Sequence, residues 1–315
     1  MAKLNGRKNG RALSRLAVAA TAAALVAASA GAASAGGVSP ATGRLKASPS
    51  APKAKHFAAA RDAAAAPGSA ADPVFPMFAV DNAGGGWAYA PNGSGGLTPR
   101  AGQPDDYGYL ANDALVDNNG DGFADGEWQW DKSGVLHYFT DANSPDKVIG
   151  GGWNIYDKVL SPGNLAGGQA YDIIARDRAG VLWLYLGYGD GTMTSRIRVG
   201  AGWDAYTEIA GKGDLTGDGK PDIVARDKAG VLWLYKGTGD YRAPFAPRVR
   251  IGAGWNAYNK LVSTGDLDLD GKSDLIARDN NGGLWLYKGT GNAAAPYRPR
   301  VQIGYGYNIY RLMTS

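Results

Sequence analysis

Residues 225–239 read ARDKAGVLWLYKGTG, and this stretch recurs along the chain. Close copies are ARDRAGVLWLYLGYG at 175–189 and ARDNNGGLWLYKGTG at 277–291. Weaker copies are QWDKSGVLHYFTDAN at 129–143 and AVDNAGGGWAYAPNG at 79–93. The matched aromatic or histidine positions (87, 137, 183, 233 and 285) are 46 to 52 residues apart. A nearly fixed period of this length indicates a repeat architecture.

Each period contains four short β-forming runs separated by glycine turns. In the copy around residue 233 we expect strands at 206–211, 222–226, 230–236 and 248–251, named A, B, C and D. No helical periodicity occurs within the repeats. Four strands in about 50 residues is typical of a blade of a β-propeller, so the predicted fold class is all-β.

The two ends of the array predict how the ring closes. The first copy, from about residue 75, has no strand A before it, whereas the last copy runs past Tyr307 into NIYRLMTS, which matches a strand A. Pairing of this C-terminal strand with the N-terminal blade would give five blades of four strands and remove exposed sheet edges. The chain would then be a monomer. The alternative is an open fragment, or a dimer that completes a larger ring.

The loop between strands A and B is acidic in three of the copies. Oxygen-bearing side chains occupy loop positions 1, 3, 5 and 9, and a glycine at position 6 permits a sharp turn. Such hard oxygen ligands, with a backbone carbonyl at position 7, suit Ca²⁺. The predicted ligands of three structural calcium sites are Asp117, Asn119, Asp121, Phe123 and Asp125; Asp214, Thr216, Asp218, Lys220 and Asp222; and Asp266, Asp268, Asp270, Lys272 and Asp274.

The remaining A–B loop departs from this pattern. Asn164, Ala166 and Gly168 occupy positions 1, 3 and 5, and only Asp172 is kept at position 9, so no strong site is expected there. Loops rich in Asp and Gly are also simply good turns. Three acidic loops at the same place in a repeat nevertheless favour a bound cation, because clustered carboxylates repel one another without one.

The D-x-[DNT]-x-D-G-x-x-D loop within a β repeat resembles the FG-GAP or VCBS repeats of the integrin α-chain propeller and of many secreted bacterial proteins. The resemblance covers residues 75–315. It implies a propeller whose calcium ions are structural and hold hairpins on one rim. It also implies a protein-binding or adhesion role.

The first 35 residues are expected to be a secretory signal peptide. Five basic residues precede an apolar run at 16–30 that is too short to span a membrane, and Ala-Ser-Ala at 33–35 predicts cleavage after Ala35. No later stretch could span a membrane. Residues 36–74, rich in Ala, Pro, Ser and Lys, predict a disordered linker. The product would be extracellular or associated with the cell wall.

Charge and composition exclude several classes of function. The formal charge is +4, but residues 1–35 carry +5 and residues 36–74 carry +3, which leaves −4 for residues 75–315. The folded part therefore gives no indication of nucleic-acid binding. Cysteine is absent, so disulfides cannot staple this domain. His137 replaces a repeat tryptophan and is expected to pack in the protein interior. No nucleophile motif and no zinc motif occurs, so we expect the protein to have no enzymatic activity.

Aromatic residues suggest the ligand. Trp153, Trp203, Trp255 and Tyr307 each follow a glycine and precede a tyrosine by three residues. Exposed rings at these positions could stack on a sugar, which predicts recognition of a polysaccharide or cell-surface glycan. The alternatives are that these rings fill wedges between blades, and that the partner is an extracellular protein. The tryptophans in the middle of strand C are expected in the core; they are Trp183, Trp233 and Trp285.

Overall fold

The computed structural model describes residues 72–140 and 145–315. These residues form five antiparallel sheets of four strands each, which are the blades of a propeller. Blade V combines the last strand with the first three: β1 (Met77–Asp81), β2 (Gly85–Tyr89), β3 (Ala101–Asp106) and β20 (Tyr310–Thr314). Blade I holds β4 (Leu110–Val116), β5 (Gly126–Asp131), β6 (Leu136–Phe139) and β7 (Lys147–Gly150).

Blades II to IV follow in chain order. Blade II holds β8 (Tyr156–Gly163), β9 (Asp172–Asp177), β10 (Leu182–Tyr185) and β11 (Ile197–Gly200). Blade III holds β12 (Tyr206–Ala210), β13 (Ile223–Asp227), β14 (Leu232–Tyr235) and β15 (Val249–Gly252). Blade IV holds β16 (Tyr258–Gly265), β17 (Asp274–Asp279), β18 (Leu284–Tyr287) and β19 (Val301–Gly304). The four strands of blade III lie within two residues of the bounds predicted from sequence.

The ring is closed, as the ends of the array predicted. The inner strands β4, β8, β12, β16 and β20 contact one another in turn, and β20 contacts β4. Strand β20 pairs with β1 in antiparallel register, with Ala79 opposite Met313 and Val80 opposite Leu312. Within the described residues no helix is long and apolar enough to cross a membrane.

The core lies in the wedges between neighbouring blades. Leu182 and Leu184 of blade II are fully buried against Tyr206 and Ile209 of blade III, and the junction between blades III and IV repeats this arrangement. Burial of one such leucine contributes about 2 kcal/mol. In blades II to IV the Leu-x-Leu spacing of strand C thus packs one face of the blade against the next blade, since alternate residues share a face.

Arginines also join consecutive blades. Arg226 of strand β13 donates hydrogen bonds to the carbonyls of Trp255, at 3.2 Å, and of Tyr258 in the next blade. Arg176 and Arg278 make the equivalent pair of bonds at the neighbouring junctions. At the closing junction Arg311 reaches from β20 to the carbonyl of Leu110. These charge-assisted bonds satisfy carbonyls at the start of four inner strands, β12, β16, β20 and β4.

Residues 72–74, which we call the strap, belong to the fold, although the sequence placed them in the linker. The amide of Val74 donates to the carbonyl of Gly122 at 2.8 Å, and the amide of Asp266 donates to the carbonyl of Pro73 at 2.7 Å. The linker prediction is therefore wrong for these three residues, whose composition hid the backbone bonds that hold them. The predicted signal peptide and residues 36–71 lie outside the described residues.

Candidate functional site

The A–B loops and the C–D loops lie at one end of the blades, here called the loop end, because successive strands alternate in direction. Loop I joins β4 to β5, loop II joins β8 to β9, loop III joins β12 to β13, and loop IV joins β16 to β17. The B–C turns and the links between blades lie at the opposite end, called the turn end.

Loop IV brings its acidic side chains to one point. Carboxylate oxygens of Asp266, Asp268 and Asp274 lie within 4.8 Å of one another, a grouping of three that occurs nowhere else among residues 72–140 and 145–315. Oδ1 of Asp268 and Oδ1 of Asp270 are buried and have no hydrogen-bond partner. Unpaired buried carboxylate oxygens are costly, so this donor set fits a hard cation.

Local cations balance only part of this charge. The Lys288 ammonium lies 2.8 Å from Oδ2 of Asp268, whose side chain is 8% exposed. Lys272 and Arg298 approach Oδ2 of Asp270 at 3.3 and 3.7 Å. These cations all face Oδ2 atoms, which leaves the two Oδ1 atoms available to a further ligand.

Burial dominates the electrostatics of loop IV. It raises the pKa of Asp274 to about 8 and that of Asp266 to about 6, and the neighbouring carboxylates of the loop push both pKa values in the same direction. Without a cation these two side chains therefore hold protons more tightly than an exposed carboxyl does.

The first and ninth loop positions also shape the loop itself. Asp266 accepts from the amides of Asp270 at 3.0 Å and Gly271 at 2.7 Å. Asp274 accepts from the amides of Leu267 at 3.0 Å and Gly289 at 2.7 Å. Because Gly289 lies in the C–D loop, Asp274 connects the two loops of one blade.

Loops I and III place fewer carboxylates together. In loop III the Thr216 hydroxyl is buried without a hydrogen-bond partner, and Lys236 lies 2.9 Å from Asp218. Burial raises the pKa of Asp222 to about 7. In loop I, Asp117 accepts from the amides of Gly120 and Gly122, each at 2.7 Å. The calcium sites predicted in loops I and III remain predictions.

Loop II has an acidic side chain only at the ninth position, Asp172. Asp172 accepts from the amides of Ala166 at 2.9 Å and Gly187 at 3.2 Å, the same two roles that Asp274 has in loop IV. Burial raises the pKa of Asp172 to about 7. Ala166 and Gly168, at the third and fifth positions, offer no side-chain oxygen.

The strap binds the three acidic loops. Pro73 and Val74 contact loops IV and I as described above, and the amide of Asp214 in loop III donates to Oδ1 of Asp72 at 2.7 Å. Burial, together with the charges of Asp214 and Asp266, raises the pKa of Asp72 well above its usual value. No compositional signal in residues 36–74 pointed to this contact.

The four glycine-aromatic positions are short 3-10 helices at the turn end: Trp153–Ile155, Trp203–Ala205, Trp255–Ala257 and Tyr307–Ile309. The preceding glycines adopt left-handed backbone, for example Gly202 with φ of 88°. This conformation explains the glycine before each aromatic residue.

These rings do not offer a sugar an open face. Trp203 and Trp255 are each 7% exposed and Tyr307 is 9% exposed, while Trp153 is half-buried. Trp203 packs 4.7 Å from Tyr235, and Trp153 packs 4.8 Å from Tyr185. The predicted sugar platform is therefore wrong for Trp203, Trp255 and Tyr307, because they fill the wedge beside strand C, which was the alternative reading.

The tryptophans of strand C were expected in the core but are half-buried, each beneath an arginine. In blade III the Trp233 indole donates to Asp227 at 2.9 Å, and the Arg248 guanidinium lies 4.0 Å from the centre of the indole ring. Arg248 also donates to the Tyr206 hydroxyl. Equivalent Trp, Asp and Arg clusters occur in three other blades: Trp87, Asp81 and Arg100; Trp183, Asp177 and Arg196; and Trp285, Asp279 and Arg300.

We call these four groups the rim clusters. Their arginines are exposed, and each follows its tryptophan by 13 or 15 residues. That recurrence was the sequence signal that could have revealed them. Blade I differs because His137 replaces the tryptophan, and Nδ1 of His137 lies 2.9 Å from Asp146. His137 is buried, as expected.

Residues 214–277 match the family model described as FG-GAP-like repeat. This segment runs from loop III to strand B of blade IV. The chain is a five-bladed β-propeller that contains an FG-GAP-like repeat. No curated protein matches its sequence significantly.

Several solved structures are similar to this propeller in fold. An Agrocybe aegerita lectin that recognises non-reducing terminal N-acetylglucosamine is 16% identical, with 73% of this chain and 80% of that chain covered and a TM-score of 0.42. A Burkholderia pseudomallei lectin is 14% identical, with 72% and 69% covered and a TM-score of 0.46. Prp20p of Saccharomyces cerevisiae is 11% identical, with 74% and 62% covered and a TM-score of 0.37. At these values the likeness concerns fold alone.

Proposed function

We propose that this chain is a secreted, calcium-stabilised FG-GAP propeller that binds polysaccharide and has no catalytic activity. The observation that carries the binding proposal is the rim cluster, which places an exposed guanidinium over a half-buried indole at the same position in four blades. Weak sites repeated around a rigid ring gain avidity toward a repetitive polymer.

The chemistry of a rim cluster suits a glycan. The guanidinium and the carboxylate offer hydrogen-bond donors and acceptors to hydroxyl groups, and the indole edge beside them is apolar. In blade III these groups belong to Arg248, Asp227 and Trp233, which are already fixed by contacts with one another. Such pre-organised groups lose little conformational entropy when a ligand binds.

Calcium would stabilise the loop end. In loop IV the ion would be held by Asp266, Asp268, Asp270 and Asp274, and the unpartnered Oδ1 atoms of Asp268 and Asp270 support this assignment. The bound ion would supply positive charge to buried carboxylates that otherwise repel one another. We propose the same structural role in loops I and III.

A glycan array with the chain from residue 36 onward tests the binding proposal. The protein is probed in millimolar calcium and again after treatment with EDTA, with a thermal melt to verify folding. Reproducible binding to one class of polysaccharide is the expected result. A blank array from a folded, calcium-loaded sample would contradict the proposal and favour a protein partner, the alternative role.

A further inference from the structure

The outermost strands of three consecutive blades are strongly basic. The segments 195–200, 247–252 and 298–304 contain no acidic residue. Besides Arg298, which faces Asp270 of loop IV, they carry five exposed arginines that we call the rim arginines: Arg196 and Arg198 in blade II, Arg248 and Arg250 in blade III, and Arg300 in blade IV. Because residues 75–315 carry a net charge of −4, this belt does not reflect a generally basic surface.

Three of the rim arginines are held in place. The guanidinium groups of Arg196, Arg248 and Arg300 lie 4.2, 4.0 and 4.2 Å from the indole centres beneath them. Arg248 and Arg300 also donate to the hydroxyls of Tyr206 and Tyr258. A guanidinium stacked in this way can still direct other N–H groups outward, and its fork matches a carboxylate.

The belt ends at the neighbouring blades. The corresponding strand of blade V, β3, contains Asp105 and Asp106, and the one of blade I follows Asp146. Charged residues on edge strands also prevent edge-to-edge pairing. That role needs a charge but not an arginine fixed by an indole and a phenol, so edge protection leaves the anchoring unexplained.

We infer that the rim arginines of blades II to IV form the surface that selects a carboxylate-bearing polysaccharide. This inference rests on the proposed function and names its substrate class. A polyuronate carries one carboxylate on each sugar, so one chain can engage arginines of consecutive blades. Charge complementarity of this kind gives specificity and a strong dependence on salt.

The experiment compares three polymers against the chain from residue 36 onward in 2 mM calcium: polygalacturonate, neutral galactan and duplex DNA. The test variant combines Arg196→Gln, Arg248→Gln and Arg300→Gln. The matched control combines Lys132→Gln, Arg178→Gln and Lys228→Gln, which removes the same charge from exposed B–C turns. Dissociation constants are measured by affinity electrophoresis at two salt concentrations.

We expect the wild type to bind polygalacturonate and to weaken with salt. The test variant should lose about tenfold or more in affinity, whereas the control should change by less than about twofold. A second variant, Arg198→Gln with Arg250→Gln, leaves the stacked arginines intact and should also weaken binding. If the first variant does not fold, the affinity of this second variant for polygalacturonate decides the test.

Each other outcome is informative. Binding to galactan but not to polygalacturonate would overturn the inference and leave the proposed function standing. Binding to no polysaccharide would overturn both. Polygalacturonate affinity that survives in a folded test variant, or equal affinity for DNA, would overturn the rim arginines as a carboxylate-selective surface.

Discussion

Loops II and IV occupy the same place in blades II and IV and make equivalent backbone contacts, but they carry different numbers of acidic side chains. Asp172 and Asp274 each accept one amide of their own loop and one amide of the C–D loop. Loop II achieves this with one carboxylate, so the fold does not require the other three in loop IV. The additional acids of loop IV therefore need another explanation, and a bound cation is the one that we propose.

Calcium removal is expected to have the largest effect. Sites with dissociation constants of roughly 10⁻⁴–10⁻³ M would each contribute about 1.4–2.7 kcal/mol at about 10 mM calcium. For three sites in a domain of this size, EDTA should lower the melting temperature by roughly 10 °C or more. The check is differential scanning calorimetry in calcium and in EDTA. Identical melting curves in calcium and in EDTA would contradict calcium binding and leave the additional acidic residues of loop IV unexplained.

Matched substitutions at the ninth position should separate structure from ion binding. Asp274→Asn and Asp172→Asn should each cost about 1–3 kcal/mol in EDTA, because an NH2 group replaces one of the two side-chain oxygens that accept from backbone N–H groups. In calcium, Asp274→Asn should in addition lose the stabilisation of one site, and Asp172→Asn should not. Urea unfolding with and without calcium measures both. Equal calcium increments in the two variants would contradict a site in loop IV.

The melting temperature should depend on pH more strongly in EDTA than in calcium. In EDTA, the pKa values of Asp266, Asp172 and Asp274 are raised to about 6, 7 and 8. The folded state then binds these protons more tightly than the unfolded state, so their stabilisation is present at low pH and is lost as pH rises through 6–8. Melting temperatures in EDTA should therefore rise by a few degrees from pH 8 to about pH 5.

Calcium should reduce that rise in melting temperature, because it would keep the carboxylates of loop IV ionised. The contribution of Asp172 in loop II should be the same with and without calcium. The measurement is a series of thermal melts across this pH range with and without calcium. A calcium-free protein that loses stability between pH 8 and pH 6 would show that other groups dominate.

The smallest effect concerns the fourth loop position. Loops I, II and III have Gly120, Gly167 and Gly217 there, with φ near 80°, whereas loop IV has Leu269 with φ of 63°. Left-handed backbone costs a non-glycine residue about 1 kcal/mol or more. Leu269→Gly should therefore stabilise by up to about 1 kcal/mol, less the packing of Leu269 beside Gly93.

The converse change in loop II should be harmful. A Cβ at Gly167 would lie 2.6 Å from the carbonyl oxygen of Gly239, so Gly167→Leu should destabilise by more than about 1 kcal/mol. Thermal melts of both variants give the comparison. A clear loss of stability in Leu269→Gly would indicate that the contact with Gly93 outweighs the backbone strain.

The repeat period was enough to predict the blades and their closure, because each strand has a local pattern and each turn has a glycine. The orientation of the aromatic rings was not predictable in the same way. Trp203 turns inward because Tyr235, 32 residues later in sequence, provides a ring to pack against. Trp233 packs against the core on one side only and lies beneath Arg248, which follows it by 15 residues.

The spacing of acidic residues was enough to predict which loop side chains cluster, but the positions of the neighbouring cations could not be predicted from it. Four acidic positions in loop IV predicted a cluster, and three carboxylates do converge. Two of the cations that approach the acidic side chains of loop IV, Lys288 and Arg298, come from the C–D loop, where no local pattern marks them. The strap escaped prediction because backbone amides and carbonyls make its contacts with the loops, and any sequence could supply most of them.

The strap gives the propeller a mechanical property. Residues 72–74 bind blades I, III and IV through hydrogen bonds at 2.8, 2.7 and 2.7 Å, at the point where the chain enters the ring. A pull on the preceding segment would load these bonds before it reached β1. Tension would thus be divided among three blades, and strand β1, which closes the ring with β20, would be shielded from it.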